Sequence, residues 1–248
     1  MSYSVILPTL NESGHIVSLI KNIGSALSEL KQKYEIIIVD DNSSDGTIDL
    51  VRKITKEKPE VQLFVRENKK KNLARSINLG IQKSKYENII WMDADFQHPP
   101  ENIKLFHNYQ EKFDLIIFSR FLKDSTRYFD NNITKKRANE PQSIFFNKLC
   151  RSLLYKDITD YTSGFICIKK KIFENYMLKG YYGDYFINLI IYSRLKNYTI
   201  IELPFADKER SSGYGKTAPG FSFRYFVICS NYILSLLQKY FKKKLKLL

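Results

Sequence analysis

Short apolar runs alternate with longer amphipathic stretches through the first half of the chain. Residues 35–39 form a nearly continuous apolar run, as expected of a strand that is buried on both faces. The pattern predicts strands at residues 4–7, 35–39, 61–65 and 89–92, and helices at residues 14–30, 47–56 and 72–84. Because strands and helices of this length alternate, we expect parallel βαβ units and an α/β fold.

The second half of the chain is less regular. The pattern predicts strands at residues 114–118, 162–168 and 199–203, and helices at residues 99–111, 143–154, 174–177 and 186–195. Residues 123–136 are polar and without periodicity, so we expect a mobile loop there, and residues 208–219 predict a second loop that contains Gly and Ser. We therefore expect one domain over residues 1–220 and a separate segment over residues 221–248.

That C-terminal segment is first apolar and then basic. Residues 225–237 are apolar on nearly every side, but a membrane-spanning helix needs about 20 such residues. Five lysines then lie among apolar residues between positions 239 and 246, which suits an anionic membrane surface at about 1 kcal/mol per near-surface lysine. The alternative is a helix that packs on the domain and ends in a frayed tail. No signal-like segment precedes the first strand, so we expect a peripheral protein on the cytoplasmic side of the membrane.

The net charge of +14 favours anionic partners such as nucleic acid, acidic lipid or a phosphorylated substrate. Accumulation of solvated lysines through compositional drift explains the excess equally well. The three cysteines, Cys150, Cys167 and Cys229, are far apart in the sequence. Their spacing indicates reduced core residues and excludes a zinc site or a disulfide framework.

Two aspartates, Asp93 and Asp95, directly follow the predicted strand at residues 89–92. Ligands of open α/β sheets bind outside the carboxyl ends of the strands, and carboxylate oxygens there suit Mg²⁺ or Mn²⁺ shared with substrate phosphates. The pair thus favours attack at a carbon or phosphorus whose leaving group is a metal-held phosphate. His98 follows in the same loop, but its place beside Pro99 favours a structural hydrogen bond.

A second acidic loop follows the strand at residues 35–39. Asp40 and Asp41 end that strand and can accept hydrogen bonds from the base or ribose of a nucleotide. Asp45, Gly46 and Thr47 are suited to capping the helix that follows, and for Asp45 and Thr47 capping alone and direct ligand contact both stay open.

Three motifs occur in order: Pro8-Thr9-Leu10-Asn11-Glu12, then residues 39–47 (Val-Asp-Asp-Asn-Ser-Ser-Asp-Gly-Thr), then residues 92–101 (Met-Asp-Ala-Asp-Phe-Gln-His-Pro-Pro-Glu). This order resembles family 2 glycosyltransferases, in particular the dolichyl- or polyprenyl-phosphate sugar synthase branch, over roughly residues 3–220. The resemblance implies a GT-A type domain with a mixed, mostly parallel sheet flanked by helices.

The resemblance also implies roles for single residues. It implies that the nucleotide sugar is bound by Pro8, Asn11, Glu12, Asp40, Asp41, Asp93 and Ala94, that the metal is held by Asp93, Asp95 and Gln97, and that catalysis involves Asp95, Arg120, Asp160, Arg210 and Lys216. For Pro8 the alternative is that it merely ends the first strand, and for Asp160 that it only starts a strand.

The implied phosphate ligands are basic residues in motifs of the second half. Arg120 lies where the family has Gly-Ser-Arg, and residues 210–216 (Arg-Ser-Ser-Gly-Tyr-Gly-Lys) resemble its R-x-x-G-x-S-K motif. Arg suits bidentate phosphate contact and Lys a point charge. Arg127 and Arg137 are further candidates, and for each of these cations the alternative is simple solvation.

The chain also departs from the family. Residues 160–165 (Asp-Tyr-Thr-Ser-Gly-Phe) match its D-x-x-S-G-F segment, but Ile166 replaces the Arg that usually follows, Gly215 replaces Ser in the later motif, and the Gly-Leu-x-x-Ala segment becomes Asn72-Leu73-Ala74. These changes put individual sugar or phosphate contacts in doubt.

An absence helps to choose the acceptor. Relatives that glycosylate sugar hydroxyls carry a Glu-Asp pair and a Gln-x-x-Arg-Trp box, and neither occurs in this sequence. A hydroxyl must lose a proton as it attacks, whereas a phosphate acceptor is already anionic and needs little base catalysis. The sequence therefore predicts an inverting transfer of a hexose from a nucleoside-diphosphate sugar, of the GDP-mannose or UDP-glucose type, to a polyprenyl phosphate.

Two alternatives stay open beside this prediction. One is a glycosyltransferase that acts on a hydroxyl of a surface polysaccharide or lipid-linked oligosaccharide. The other is a non-catalytic basic protein that binds membrane or nucleic acid, which leaves Asp93 and Asp95 without a purpose. We expect a nucleotide sugar, a polyprenyl phosphate and an anionic membrane as partners, and no nucleic acid.

Overall fold

The structure is a computed structural model, and it describes residues 1–67, 70–122, 125, 140–180, 183–205, 238 and 241. The basic candidates Arg127, Arg137, Arg210 and Lys216 lie outside these residues, as do most of the two predicted loops and of the segment at residues 221–248. No helix among the described residues is both long and apolar enough to cross a membrane. The division at residue 220 stays a prediction.

Seven strands and six α-helices alternate along the described chain. In chain order they are β1 (Ser2–Thr9), α1 (Ile16–Glu29), β2 (Lys33–Asp40), α2 (Thr47–Glu57), β3 (Val61–Val65), α3 (Leu73–Lys83), β4 (Asn88–Trp91), α4 (Ile103–Tyr109), β5 (Leu115–Ser119), α5 (Glu140–Leu153), β6 (Ile166–Lys169), α6 (Asp184–Leu195) and β7 (Ile200–Pro204). The strands form one sheet in the order β3-β2-β1-β4-β6-β5-β7. Only β6 runs against its neighbours among these strands, so the predicted mixed, mostly parallel sheet is confirmed.

Helices cover both faces of the sheet. Along β2, Ile37 and Val39 pack into a cluster with residues of α3, α5 and α6, whereas Ile36 and Ile38 pack into a second cluster with residues of α1, α2 and α4. All four side chains are at most 1% exposed. The apolar run at residues 35–39 therefore is a strand buried on both faces, as predicted.

Three predicted elements differ from the structure. The helix predicted at residues 99–111 is a 3-10 turn at Pro100–Asn102 followed by α4, which ends at Tyr109. The strand predicted at residues 162–168 begins only at Ile166. The helix predicted at residues 174–177 is wrong, because these residues form a bend and irregular chain after a 3-10 turn at Lys170–Phe173.

The sheet brings the predicted motifs to one edge. The carboxyl ends of β1, β2, β4 and β5 meet there because these strands are parallel in the sheet. Strand β6 runs in the opposite direction, so its amino end, and the segment at residues 160–165 before it, lie at the same edge. Motifs that are up to 150 residues apart in sequence thus become neighbours.

Candidate active site

The loop that follows β4 is held in place by His98. Its Nδ1 accepts a hydrogen bond from the Asp93 N–H at 2.9 Å. The imidazole stacks on the Phe165 ring, with centroids 5.2 Å apart, and meets the Phe205 ring edge-on at 6.0 Å. The predicted structural role of His98 is confirmed, because a ring held in this way serves to fix the loop.

The same loop makes a tight turn between Asp95 and Gln97. Phe96 has a φ of +62°, a left-handed backbone conformation that residues other than glycine rarely adopt. The Gln97 N–H donates to Asp95 Oδ1 at 3.0 Å, and Asp95 and Ala94 are both buried. Strained backbone of this kind is frequent at ligand sites, where the surrounding structure maintains it.

Gly164 lies directly against the carboxylate of Asp93. A Cβ at Gly164 would be 3.4 Å from both Asp93 oxygens and 3.1 Å from His98 Cε1. The segment at residues 160–165 therefore touches the acidic loop, and a glycine there leaves room around the carboxylate. Two motifs that are 70 residues apart in sequence form one site.

The donor atoms of this loop fit a hard divalent cation. Asp93 and Asp95 offer carboxylate oxygens, and Gln97 an amide oxygen, of the type that Mg²⁺ and Mn²⁺ prefer. Within the described part of the chain, no three His, Cys, Asp or Glu side chains come together as a metal site. A cation at this loop therefore needs further oxygens, such as those of a substrate phosphate.

Asp40, which the sequence assigns to nucleotide binding, organises the turn after β2. Its carboxylate accepts hydrogen bonds from Thr9 Oγ1, Ser43 N–H and Ser43 Oγ, each at 2.7 Å. The residue is wholly buried, so these contacts join the ends of β1 and β2.

Asp41 lies at the centre of a second network. Its Oδ1 accepts hydrogen bonds from the Arg66 guanidinium and from Ser76 Oγ, and its Oδ2 accepts from Asn72 N–H at 3.0 Å. Arg66 also donates to the Asn72 and Lys70 carbonyls. This network ties the end of β2 to the start of α3, and the sequence interpretation had assigned no role to Arg66 or Ser76.

The loop after β1 is joined to the loop after β2. Ser44 N–H donates to Asn11 Oδ1 at 2.9 Å, and Glu12 N–H donates to Thr47 Oγ1 at 2.8 Å. Asn11 has a φ of +55°, which asparagine tolerates better than most residues. Pro8 does not end the first strand, since β1 continues through Thr9.

Asp45 accepts hydrogen bonds from both the N–H and the Oγ1 of Thr47, and from Ser13 N–H. Burial by itself raises the pKa of Asp45, but these hydrogen bonds outweigh it and hold the pKa well below its ordinary value. The predicted contribution of Asp45 to the start of α2 is confirmed. Direct contact of Asp45 with a ligand stays a prediction.

Arg120 and Asp160 form a bidentate pair at the end of β5. Arg120 Nε donates to Asp160 Oδ2 at 2.8 Å, and Arg120 Nη2 donates to Asp160 Oδ1 at 2.9 Å and to Thr162 Oγ1 at 2.8 Å. Burial by itself raises the pKa of Asp160, but the charge of Arg120 and the hydrogen bonds from Arg120 and Thr162 hold it below its ordinary value. Asp160 is wholly buried, whereas the Arg120 side chain is 20% exposed.

The sequence interpretation missed two residues that support this pair. Asn147 of α5 donates to Thr162 Oγ1 at 3.1 Å, and its Oδ1 accepts from Tyr161 N–H. Glu202 of β7 accepts from the backbone N–H groups of Thr159 and Asp160. A signal was present for Glu202, since it is a charged residue inside an otherwise apolar predicted strand.

Residues 4–177 match Glycosyl transferase family 2. The dolichol-phosphate mannosyltransferase of Pyrococcus furiosus is 29% identical over 217 residues, which cover 87% of this chain and 59% of that protein. The protein of the same name from Saccharomyces cerevisiae is 30% identical over 163 residues, covering 59% of this chain and 60% of that protein. This chain thus spans about three fifths of the length of both relatives.

Solved structures show the same architecture. Glucosyl-3-phosphoglycerate synthase from Mycobacterium tuberculosis in complex with UDP matches with a TM-score of 0.68 at 18% identity, covering 96% of this chain and 80% of that chain. Its complex with Mn²⁺, UDP-glucose and phosphoglyceric acid gives a TM-score of 0.67 at 16% identity, over 96% and 79% of the two chains. At this identity the likeness establishes the fold alone, which confirms the predicted GT-A type domain. The family match covers residues 4–177, and the fold and the ordered motifs agree with it. The chain therefore belongs to glycosyl transferase family 2.

Proposed function

We propose that the protein transfers a hexose from a nucleoside-diphosphate sugar to a polyprenyl phosphate, with inversion at the anomeric carbon. The observation that carries the proposal is the stacking of His98 on Phe165, with Gly164 facing the Asp93 carboxylate, which joins the acidic loop to the segment that holds Arg120. Relatives named dolichol-phosphate mannosyltransferase support the lipid-phosphate acceptor.

The donor lies, in this proposal, across the ends of β1, β2 and β4. Pro8, Asn11, Glu12, Asp40, Asp41 and Ala94 form or support the nucleotide side, and Asp93, Asp95 and Gln97 hold Mg²⁺ or Mn²⁺ against the diphosphate. When bound, the cation supplies Lewis-acid stabilisation of the charge on the departing nucleoside diphosphate. The Mn²⁺ and UDP-glucose in the related synthase structure support this arrangement.

The acceptor side needs no general base. An oxygen of the lipid phosphate attacks the anomeric carbon in line with the departing diphosphate, and Arg120, Arg210 and Lys216 bind phosphate charge. Asp160 is buried, paired with Arg120, and has a lowered pKa, so it is poorly suited to take a proton. We assign it the narrower role of holding Arg120 in place.

Residues 221–248 place the protein, in this proposal, at the cytoplasmic face of the membrane as a peripheral protein. Their apolar and lysine-rich sequence suits an anionic leaflet that contains the acceptor lipid.

The test is a transfer assay with purified protein, Mn²⁺, labelled GDP-mannose or UDP-glucose, and dolichyl or undecaprenyl phosphate. We expect lipid-linked sugar from one donor, and a fall of about 100-fold or more for Asp95→Asn, as when a group that stabilises developing charge is removed. Asp49→Asn on the exposed surface of α2 is the matched control and should leave turnover unchanged.

Two outcomes would contradict the proposal. Transfer to a glycan hydroxyl, without any lipid-linked product, would show that the acceptor is a saccharide. Absence of metal-dependent binding of any nucleoside diphosphate would instead point to a non-catalytic basic protein.

A further inference from the structure

Glu202 lies on β7, and its carboxylate accepts three hydrogen bonds from the segment that leads to Asp160. Oε2 accepts from Thr159 N–H at 2.7 Å and from Thr159 Oγ1 at 2.8 Å, and Oε1 accepts from Asp160 N–H at 2.9 Å. Thr159 Oγ1 also lies 2.6 Å from Ser119 Oγ, at the end of β5. One carboxylate thus joins β7, β5 and the turn that carries Asp160.

The contacts continue without a gap from Glu202 to the guanidinium of Arg120. Glu202 fixes the backbone of Asp160, and Asp160 binds Arg120 through both carboxylate oxygens. The backbone N–H of Arg120 also donates to Asp160 Oδ2, at 3.2 Å. A shift of the Asp160 backbone therefore moves both the main chain and the side chain of Arg120.

We propose that Glu202 is a positioning residue, which holds Asp160 so that the Arg120 guanidinium keeps the orientation needed to bind phosphate. The phosphate-binding role of Arg120 is part of the proposed function, and this inference rests on it. Glu202 touches no substrate in this proposal and acts only through Asp160.

The chemistry of the contacts requires a carboxylate. All three partners are donors, and an ionised carboxylate is an acceptor only. In Glu202→Gln the amide NH₂ would face at least one N–H donor, so at least one hydrogen bond is replaced by a donor–donor clash. Burial and the nearby charge of Asp160 raise the pKa of Glu202, and the hydrogen bonds that its carboxylate accepts from Thr159 and Asp160 oppose this rise.

Glu35 is a matched control at the opposite edge of the sheet. It lies near the start of β2, is 2% exposed, and accepts hydrogen bonds from Ser4 Oγ, Lys85 N–H and Gln62 Nε2 at 2.6 to 2.7 Å. Glu35→Gln therefore disturbs a buried strand carboxylate with similar partners, far from the candidate site. It separates general loss of stability from loss of positioning.

The experiment is a double-mutant cycle on kcat/KM that combines Glu202→Gln with Arg120→Lys. We expect Glu202→Gln to lower kcat/KM by about 10- to 100-fold in the wild-type background, because small misplacements of a binding group have effects of this size. In the Arg120→Lys background we expect less than about 3-fold, since the group that Glu202 positions is already lost. Glu35→Gln should change kcat/KM by less than about 3-fold in both backgrounds.

Equal losses from Glu202→Gln in the two backgrounds would overturn the inference, because a purely structural role acts whether or not Arg120 is present. The milder Thr159→Val, which removes only the hydroxyl that donates to Glu202, serves if Glu202→Gln does not fold. It should show the same coupling with a smaller amplitude.

A spectroscopic readout keeps this inference separate from the proposed function. The Nε–H signal of Arg120 in ¹⁵N-labelled protein, assigned by its loss in Arg120→Lys, should shift or broaden in Glu202→Gln and stay unchanged in Glu35→Gln. An unchanged signal in Glu202→Gln would contradict the inference even in an active enzyme. Absence of transfer by the wild-type protein would contradict the proposed function and leave the spectral test intact.

Discussion

Two buried aspartate–arginine pairs flank the acidic loop, and they differ in how the arginine is surrounded. Arg66 beside Asp41 is 7% exposed and also binds Ser76 Oγ and two backbone carbonyls. Arg120 beside Asp160 is 20% exposed, and its side chain binds Asp160 and Thr162 and lies over the Phe121 ring. The Arg66 guanidinium is enclosed by the fold. The Arg120 guanidinium is held by Asp160 and Thr162, and the Arg120 side chain still reaches solvent.

The difference separates structural support from ligand binding. A buried ion pair contributes little net stability, because the desolvation penalty offsets the attraction, but loss of either partner is strongly destabilising. The Arg66 network joins the end of β2 to α3, on the side of the site where we propose that the nucleotide binds. Arg120 presents a charge whose position is set by a wholly buried carboxylate, which is a suitable arrangement for a phosphate ligand.

The largest effect should come from replacing each arginine by lysine, which keeps the charge and removes the planar fork. Arg120→Lys should lower kcat/KM by about 100-fold, since a bidentate site is not served by a point charge. Arg66→Lys should change kcat/KM by less than about 3-fold and lower the free energy of unfolding by about 2 kcal/mol, because several buried acceptors lose their donor. Initial rates and urea unfolding measure the two effects.

The reverse result would break the comparison. If Arg66→Lys abolished turnover at unchanged stability, Arg66 would be the ligand-binding group, and Arg120 would be the structural one.

The pH dependence of unfolding sharpens the comparison further. The folded-state pKa of Asp160 is held below its ordinary value of 3.8, so its stabilisation is present above that pH and is lost as pH falls through the folded-state pKa. Asp160→Asn should therefore lower stability by about 3 kcal/mol at pH 7, and this difference from wild type should shrink below about pH 4.

The contribution of Glu202 to stability changes with pH in the opposite direction to that of Asp160. Its raised pKa gives a contribution that is present below its ordinary value of 4.5 and is lost as pH rises through the folded-state pKa. Glu202 is present in both wild type and Asp160→Asn, so its contribution cancels except for the part of its raised pKa that the charge of Asp160 causes. Denaturant unfolding between pH 3 and pH 7 gives the measurement, and a difference that does not depend on pH would show that Asp160 is not ionised in the native protein.

The sequence predicted the first half of the fold well and the second half less well, for physical reasons. Strand β2 is buried over residues 35–40 and appears as an apolar run, and the edge strand β3 was predicted at its observed bounds although only Val61 in it is fully buried. The segment predicted to carry β6 starts at residue 162, whereas the strand begins at Ile166, after Ser163 has donated a side-chain hydrogen bond to the Phe118 carbonyl. Hydrogen bonds of this kind depend on a partner 45 residues away and leave no periodic signal.

The candidate site shows the same limit. Motifs in a fixed order identified the acidic loop and its neighbours, because ligand chemistry needs particular residue types at strand ends. The sequence did not reveal that Asp160 pairs with Arg120 or that Glu202 supports this pair. It also did not reveal that Arg66 forms an ion pair with Asp41. Pairings between side chains on different strands depend on the order β4-β6-β5-β7, and the reversed strand β6 is not visible in the hydrophobic pattern.

The smallest effect should come from the two hydroxyls that accompany the pairs. Ser76 Oγ donates to Asp41, and Thr162 Oγ1 accepts from Arg120. Ser76→Ala and Thr162→Val should each lower the free energy of unfolding by about 1 to 2 kcal/mol, because each hydroxyl takes part in several hydrogen bonds with buried partners. Only Thr162→Val should also lower kcat/KM, by about 3- to 10-fold, because it removes one of the two hydrogen bonds that hold Nη2 of Arg120, the proposed phosphate ligand. Equal changes in kcat/KM for both variants would mean that the two arginines respond alike to a lost neighbour, and that exposure of the guanidinium does not distinguish their roles.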